Sequence, residues 1–239
     1  MQQTYHKYTP EDQEVWEILS KRQLQNLPGK AHPVYLNCLD ELSEVLHSRA
    51  IPRFSELNEI LMDAHGWSIK VVPGLTPVEQ FFDLLKNRNF SASTWLRSKS
   101  QLNYLEEPDM FHDIFGHIPL LMNEPYAEFA QKLGALGVRY IKNKNIITQL
   151  QRLYWFTIEF GLIQNQDKHM IYGAGIISSS GETDHVMHDH VDIRPYNIFD
   201  IIKQDFITSE IQTRYFSLDN FTQLYTSIEQ LEKMLHEAN

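Results

Sequence analysis

Two histidines in an otherwise apolar segment restrict most strongly how this chain can fold. The segment PDMFHDIFGHIPLL, residues 108–121, contains His112 and His117 five positions apart. In a continuous α-helix, residues five apart are rotated by roughly 140° about the axis, so the two imidazoles would point to different sides. We therefore predict a bend of the chain near Gly116 and Pro119 that brings both rings to one point.

These two histidines leave two interpretations open: a metal site, or two core histidines bonded to backbone carbonyls. A carboxylate on another buried segment would favour the metal, because two neutral imidazoles and one carboxylate suit a divalent first-row ion. Glu159 in YWFTIEFG is the candidate. An ionised carboxylate among aromatic side chains is costly unless a cation or several donors meet it. The alternative is a core glutamate paired with Arg152, and we favour the metal ligand because the segment is apolar on nearly all sides.

A second group of histidines lies in the segment DHVMHDH, which contains His185, His188, His190 and two aspartates. Its surroundings are polar and lack a capped, apolar framework. The segment therefore predicts a solvated loop with at most adventitious affinity for metal.

Composition narrows the class of protein. The chain has 239 residues, 42% hydrophobic and 22% charged, which is typical of one globular domain spanning residues 1–239. Its 21 basic and 31 acidic residues give a net charge of −10, which argues against nucleic-acid and anionic-membrane partners. Its first residues, MQQTYHKYTPEDQEVW, have no apolar stretch after a basic start, and no apolar run of about 18 residues occurs, so we expect a cytoplasmic protein without a cleaved signal peptide. Cys38 is the only cysteine, which excludes an intrachain disulfide and a cysteine-built zinc site.

Apolar residues at helical intervals predict helices over most of the chain. Thr9 with Pro10 marks the start of the first helix, and Gly66 marks the end of the third. Thr76 with Pro77 marks a further capped start. The other predicted helices cover residues 34–46, 54–64, 125–136, 150–163 and 221–235. The segment AGIISSSGE is predicted to be extended or irregular.

Three motifs that follow one another, EPDMFHDIFGHIPLL, YWFTIEFGL and YGAGIISSSGE, resemble the core motifs of the pterin-dependent aromatic amino acid hydroxylases. They are similar in particular to those of the short bacterial phenylalanine 4-monooxygenases, and the similarity runs from roughly Trp16 to Phe216. The resemblance implies a mainly α-helical α+β fold, a single catalytic domain of helices with a few short strands around a buried metal pocket. It also implies hydroxylation of L-phenylalanine to L-tyrosine with O2.

For the metal, the resemblance implies a mononuclear non-haem Fe(II) held by His112, His117 and Glu159. This arrangement leaves positions on one side of the iron open for water and oxygen. A zinc hydrolase can also use two histidines and a glutamate, but it would want a general base nearby in sequence, as in HExxH. Here the acid beside the first ligand is Asp113, and the histidine spacing is one residue too long for that motif.

Oxygen activation at Fe(II) needs two further electrons that side chains here cannot supply, and in the family a tetrahydropterin supplies them. The stretch PGLTPVEQFF offers a glycine-containing loop and an aromatic ring for a flat cofactor. By resemblance, Phe81 stacks on the pterin, and Asp113 matches a position that is glutamate in animal members. The residues implied to surround the pterin are Phe81, Gly74, Leu75, Thr76, Asp113 and Tyr154.

Arg97 corresponds to the family's arginine for the substrate carboxylate, which a planar guanidinium binds through two parallel hydrogen bonds. Asp109 is placed to orient Arg97 or His112. One departure from the animal members is Leu105, which stands where they carry threonine. The wall and floor of the substrate pocket are implied to be Trp155, Phe160, Gly175 and Ser178.

The choice of aromatic ring stays open, because it depends on pocket shape in loops after Glu182. The alternative substrate is L-tryptophan, with the same chemistry. More remote alternatives are a His2Glu zinc hydrolase and a non-catalytic binder of aromatic amino acids. Expected partners are small molecules, namely L-phenylalanine, O2 and the tetrahydropterin, and the chain is expected to be a monomer or a small homo-oligomer.

Overall fold

The computed structural model describes residues 1–103, 107–188 and 190–237, so Leu105 lies outside the described residues. The α-helices in these ranges are α1 Pro10–Asn26, α2 Pro33–Glu41, α3 Phe54–His65, α4 Val78–Lys86, α5 Glu124–Arg139, α6 Lys144–Tyr154, α7 Ala174–Ile177, α8 Ser180–His185, α9 Ile198–Ile201 and α10 Thr222–Glu237. The strands are β1 Ser68–Val71, β2 Asn89–Ala92, β3 Gly161–Asn165, β4 Lys168–Ile171, β5 Asp192–Pro195 and β6 Arg214–Leu218. Within these ranges, no helix combines the length and hydropathy needed to cross a bilayer.

The ends of the first and third helices follow from local chemistry. Asp12 N–H donates to Thr9 Oγ1 at 3.2 Å, and Thr9 N–H donates to Asp12 Oδ2 at 2.7 Å. Together these bonds form a capping box immediately before Pro10. Gly66 has a φ of 70°, the left-handed conformation that closes α3. Both predicted helix ends are therefore confirmed.

Several predicted helix boundaries differ from the structure, among them the start of α6 at Lys144 instead of residue 150 and the end of α5 at Arg139 instead of residue 136. Helix α2 ends at Glu41 instead of continuing to residue 46, and turns follow it. Helix α4 begins at Val78 after Pro77, but no side chain caps it, so Thr76 does not act as the cap. The fixed φ of proline is itself suited to the start of a helix.

Two other segments adopt a different structure from the predicted one. Residues 161–163, predicted to continue a helix, begin strand β3, which lies between β4 and β6. A short apolar run is equally suited to a strand that is paired and covered on both sides. The segment predicted to be extended instead forms α7 and α8, and Ser179 caps α8 by accepting the Glu182 N–H at 3.3 Å.

Two small sheets hold the helices in place. Strands β1 and β2 pair in parallel, from Ser68↔Asn89 to Val71↔Ala92, and α4 connects them. The larger sheet has the order β4-β3-β6-β5, in which β3 is antiparallel to β4 and parallel to β6. One hydrophobic core extends from Val15 in α1 to Leu235 in α10.

Helices α4 and α5 approach each other closely through a glycine. A Cβ added to Gly134 would lie 2.3 Å from Lys86 N and 2.8 Å from the carbonyl carbon of Leu85. Because these are backbone atoms, they cannot move without shifting α4. Gly134 therefore sets the distance between the two helices, and with it the position of Phe81 on α4.

Replacing Gly134 with alanine is expected to lower the free energy of unfolding by about 1–3 kcal/mol, the usual cost of overpacking. Urea denaturation followed by circular dichroism would measure it. Gly181→Ala is the matched control, because a Cβ there would meet only Ser179 Oγ, at 3.9 Å. That variant should be as stable as the parent or slightly more so. Equal destabilisation of both variants would contradict the packing argument.

Candidate active site

His112 and His117 lie on a π-helix that spans His112–His117. In a π-helix the backbone hydrogen bonds join residues five apart, so side chains five apart point to the same side. The predicted bend near Gly116 is therefore wrong. The wider helical turn itself brings the two imidazoles together, with ring centroids 4.8 Å apart. The chain changes to a 3-10 helix only later, at Pro119–Met122.

Glu159 ends a second π-helix, Trp155–Glu159, which continues α6. Phe160 N–H donates at 2.9 Å to the carbonyl five residues earlier, the bond expected of this geometry. Glu159 Oε1 lies 3.3 Å from His117 Nε2, and Glu159 Oε2 lies 3.6 Å from His112 Nε2. The two Nε2 atoms are 3.1 Å apart. Two π-helices thus direct three donor groups towards one point.

The ion pair considered for Glu159 is not formed. Arg152 instead donates to the Ile202 carbonyl at 3.0 Å and pairs with Asp205. The Glu159 side chain is only 12% exposed, so its charge is directed at the imidazoles rather than at solvent. The interpretation of Glu159 as an ordinary core glutamate paired with Arg152 is therefore wrong.

Ser178 determines which nitrogen of His112 carries the proton. The hydroxyl has a single hydrogen, and Ser178 Oγ donates it to the Ala174 carbonyl at 2.8 Å. Ser178 Oγ also lies 2.8 Å from His112 Nδ1, where it must therefore accept, so that Nδ1 carries the proton. His112 Nε2 then keeps its lone pair, directed towards His117 and Glu159. The sequence placed Ser178 only in the floor of the pocket.

A glycine allows α7, which precedes Ser178, to approach the Glu159 segment. A Cβ added to Gly173 would lie 2.4 Å from the Glu159 carbonyl oxygen and 2.5 Å from Gly161 N. Any side chain at this position would displace α7. The hydrogen bond from His112 to Ser178 therefore depends on glycine at position 173, the first glycine of the motif YGAG.

Burial and neighbouring groups set the ionisation of the site. Burial lowers the pKa of His112 to about 4, against the opposite effect of Glu159, so the imidazole is neutral near pH 7. Burial opposes ionisation of Glu159, but His117 and His112 outweigh it and lower the pKa of Glu159 to about 2. A charged carboxylate beside a neutral imidazole is the state in which both groups can bind a metal ion.

The three donors fit a divalent transition-metal ion. Ligands about 2.1 Å from one ion and at right angles to each other lie about 3 Å apart. The observed separations are 3.1, 3.3 and 3.6 Å. Over the ranges that the structure describes, His112, His117 and Glu159 are the only such group of three. The described residues of DHVMHDH, which include His185, His188 and His190, therefore do not form a second group among themselves.

Replacing Ser178 with alanine is expected to weaken Fe(II) binding about 10–100-fold, the usual effect of removing the partner of a histidine ligand. The unbonded His112 ring can then rotate or change tautomer. Competition with a chromogenic chelator would measure the affinity. Ser180→Ala is the matched control, because Ser180 lies in the wall of the same cavity but does not bond His112. Equal affinities of the two variants would contradict the role given to Ser178.

A cavity of about 190 Å³ lies on one side of the three donors. The aromatic ring of Phe81 meets that of Tyr154 edge-on in its wall, with ring centroids 5.0 Å apart. All the residues that the resemblance implied around a pterin line this cavity, namely Gly74, Leu75, Thr76, Phe81, Asp113 and Tyr154. The structure therefore brings together residues that are up to eighty positions apart in the chain.

Asp113 adds a titratable group to the wall of the smaller cavity. Asp113 Oδ2 accepts the Ser93 N–H at 2.7 Å. Burial raises the pKa of Asp113 to about 7, although the bond from Ser93 and the nearby His117 lower it. Near neutral pH this carboxyl can therefore accept or donate a hydrogen bond.

A larger cavity of about 560 Å³ borders His112 and Glu159. It is lined by the predicted substrate residues Arg97, Trp155, Phe160, Gly175 and Ser178. His112, Glu159 and Tyr154 line both cavities. Two of the three donor groups, His112 and Glu159, therefore border both cavities, and His117 borders the smaller one.

Asp109 lines neither cavity and holds Arg97. Its side chain is fully buried, and it accepts from Arg97 Nε and Nη2, both at 2.9 Å. Asp109 Oδ1 also accepts the His112 N–H at 3.2 Å. The sequence offered Arg97 or His112 as partners of Asp109, and the structure contains both contacts.

The larger cavity also contains residues that the sequence analysis missed. Arg22 reaches it from α1, Glu182 from α8, and the segment 208–211 forms part of its rim. Gln212, next to this segment, accepts the Trp155 Nε1–H at 2.9 Å and so orients the indole. No local motif marks these residues, because tertiary packing alone brings them to the cavity.

The chain matches a known family along nearly its whole length. A model of the biopterin-dependent aromatic amino acid hydroxylases matches residues 2–238. The chain is 41% identical to the phenylalanine-4-hydroxylase of Ralstonia nicotianae over 239 residues, which cover 100% of this chain and 75% of that protein. It is 40% identical to the phenylalanine-4-hydroxylase of Chromobacterium violaceum over 224 residues, 93% of this chain and 74% of that protein.

Solved structures share the fold. The crystal structure of C. violaceum phenylalanine hydroxylase with iron(III) and the oxidised cofactor 7,8-dihydrobiopterin matches with a TM-score of 0.91 at 38% identity, covering 100% of this chain and 87% of that chain. Its cobalt-bound form matches with a TM-score of 0.92 at 38% identity, over 95% and 82%. The predicted mainly helical α+β fold is confirmed. With this match of sequence and fold, the chain belongs to the biopterin-dependent aromatic amino acid hydroxylase family.

Proposed function

We propose that the protein hydroxylates L-phenylalanine to L-tyrosine with O2, using Fe(II) and a tetrahydropterin. The observation that carries the proposal is that His112 and Glu159 line both of two adjoining cavities. One cavity has an aromatic ring, a glycine loop and a titratable carboxyl for a flat polar cofactor. The other has a buried arginine and an aromatic wall for an amino acid. The relatives named phenylalanine-4-hydroxylase support this choice of substrate.

In this proposal His112, His117 and Glu159 hold the iron. Bound Fe(II) and tetrahydropterin would supply the electrons and the oxygen activation that no side chain of this chain can provide. The chain prepares the ligands: Ser178 keeps the His112 Nε2 lone pair free, and Asp109 fixes the backbone of His112. Fixed ligands of this kind reduce the reorganisation that binding and reaction require.

The pterin would lie in the smaller cavity. Phe81 offers its ring for stacking, and its edge-on contact with Tyr154 restrains it. Gly74, with no heavy atom within 4 Å of an added Cβ, leaves the adjoining loop open to a flat ligand. The Asp113 carboxyl faces the same space and can bond the polar edge of the ring in either protonation state.

L-Phenylalanine would lie in the larger cavity with its carboxylate at Arg97. Two of the guanidinium nitrogens bond Asp109, which fixes the direction of the group. Trp155 and Phe160 pack against each other with ring centroids 4.6 Å apart and form a rigid aromatic wall. Holding the carboxylate and the ring at once positions the reacting carbon and excludes water from the centre.

Product analysis tests the proposal. Protein loaded with Fe(II) would be incubated with tetrahydropterin, O2 and either L-phenylalanine or L-tryptophan, and the products separated by chromatography. We expect tyrosine as the main product, formed in proportion to the pterin oxidised. 5-Hydroxytryptophan formed in preference to tyrosine would overturn the substrate assignment. The absence of any hydroxylated product would overturn the reaction itself.

A further inference from the structure

The larger cavity contains a second guanidinium, that of Arg22, whose hydrogen-bond partners carry no negative charge. Arg22 lines this cavity together with Arg97. Its Nη1 donates to Asn103 Oδ1 at 3.0 Å, and its Nη2 donates to the Leu102 carbonyl at 2.8 Å. Both acceptors are neutral. Within the described ranges Arg22 forms no ion pair, and its Nε is buried without a hydrogen-bond partner.

The positive charge of the neighbouring Arg97 is already balanced by Asp109. Arg97 and Asp109 form a buried pair that is neutral overall. Arg22 adds a second positive charge to the cavity, where Glu107, Glu182 and Glu210 also lie in the lining but none of them forms an ion pair with it. Arg22 and Arg97 line the same cavity. Burial, and then the charge of Arg97, lower the pKa of Arg22. Two guanidinium groups that line one cavity form a site suited to an anion.

The substrate of the proposed reaction brings one anion, its α-carboxylate. Arg97 uses Nε and Nη2 for Asp109, so only the remaining side of its fork is free for that carboxylate. A second cation would increase the attraction without removing Arg97 from Asp109. We propose that Arg22 is a substrate-binding residue, the second cation that attracts the α-carboxylate of L-phenylalanine. This proposal rests on the proposed function and deepens it.

Comparing L-phenylalanine with L-phenylalaninamide tests the charge directly, because the amide has the same ring and ammonium group but no carboxylate. Dissociation constants would be measured by calorimetry on Fe(II)-loaded protein without O2, so that no turnover occurs. Arg22→Gln should weaken binding of L-phenylalanine about tenfold or more, and binding of the amide less than about twofold. In steady-state assays KM for L-phenylalanine should rise, while kcat changes less than about twofold.

Two further variants separate charge from structure. Arg22→Lys keeps the charge and should restore most of the affinity for L-phenylalanine. Asn103→Ala removes one hydrogen bond of Arg22 without changing any charge, and should leave the preference for L-phenylalanine over the amide unchanged. Lys21→Gln is the matched control, because Lys21 is adjacent on α1 but 57% exposed and paired with Glu17. It should bind both ligands as the parent does.

Equal weakening of both ligands by Arg22→Gln would overturn the proposal, since Arg22 would then only hold the loop at Leu102. Unchanged binding of L-phenylalanine would overturn it as well. If Arg22→Gln does not fold, Arg22→Lys serves in its place. Equal losses of affinity for the amide and for L-phenylalanine in Arg22→Lys would then overturn the proposal, because they too would show that Arg22 only holds the loop. A parent protein that binds L-phenylalanine but forms no tyrosine would overturn the proposed function and leave the Arg22 comparison valid.

Discussion

Replacing Glu159 with alanine is expected to abolish tyrosine formation and to release the iron. Glu159 is the anionic member of the three donors, and without it two neutral imidazoles would have to hold a doubly charged ion. A metal ligand stabilises the transition state by several kcal/mol, so its loss should lower the rate of tyrosine formation at least about a thousandfold. Tyrosine formation with saturating L-phenylalanine and tetrahydropterin would measure the loss. Metal analysis after gel filtration would measure the iron retained.

Glu229→Ala is the control for this experiment. Glu229 carries the same charge but lies on the surface, where it accepts from Lys132 Nζ at 2.6 Å. Its removal should leave both iron content and activity unchanged. Normal turnover by the Glu159→Ala variant would remove His112, His117 and Glu159 from consideration as the metal centre. Loss of activity in both variants would point to a nonspecific effect of lost negative charge.

Replacing Asp109 with alanine is expected to lower the free energy of unfolding by about 3–5 kcal/mol, because it leaves the Arg97 guanidinium buried without its partner. The variant also removes the acceptor of the His112 N–H. We therefore expect weaker binding of both iron and L-phenylalanine in the protein that still folds. Urea denaturation and calorimetry would measure these effects separately.

Asp192→Ala is the matched control for the buried pair. Asp192 accepts from Arg214 Nε at 2.7 Å, but its side chain is 42% exposed. Surface pairs of this kind contribute about 0–1 kcal/mol, so the control should be nearly as stable as the parent. An Asp109→Ala variant no less stable than this control would show that the Arg97 pair is not the stabilising contact described here.

The chemistry of the site could be predicted further than its geometry. An apolar segment with two histidines, and a glutamate among aromatic side chains, indicate a metal because the cost of burying such groups does not depend on the fold. The path of the backbone was predicted wrongly. Helical periodicity assumes 3.6 residues per turn, and the π-helix at His112–His117 departs from it. The spacing of five was itself the signal of a wider turn.

Other differences arise from contacts between distant segments. Strand β3 forms in place of a helix because β4 and β6 pair with it. Arg22 is separated by seventy-five positions from Arg97, and nothing around it in the sequence suggests a cavity. Pairing and packing of this kind depend on the whole fold, which a local pattern cannot contain.

Because metal ligands lie on both π-helices, the rigidity of these two segments depends on whether iron is bound. Such turns are rare, so tertiary packing rather than local preference must keep His112–His117 and Trp155–Glu159 in this form. An ion bound by both would stabilise their ordered state by mass action and oppose local opening. Loading with iron should therefore slow amide hydrogen exchange in both segments together. Cells short of iron would then contain this enzyme with a looser centre, more open to proteolysis.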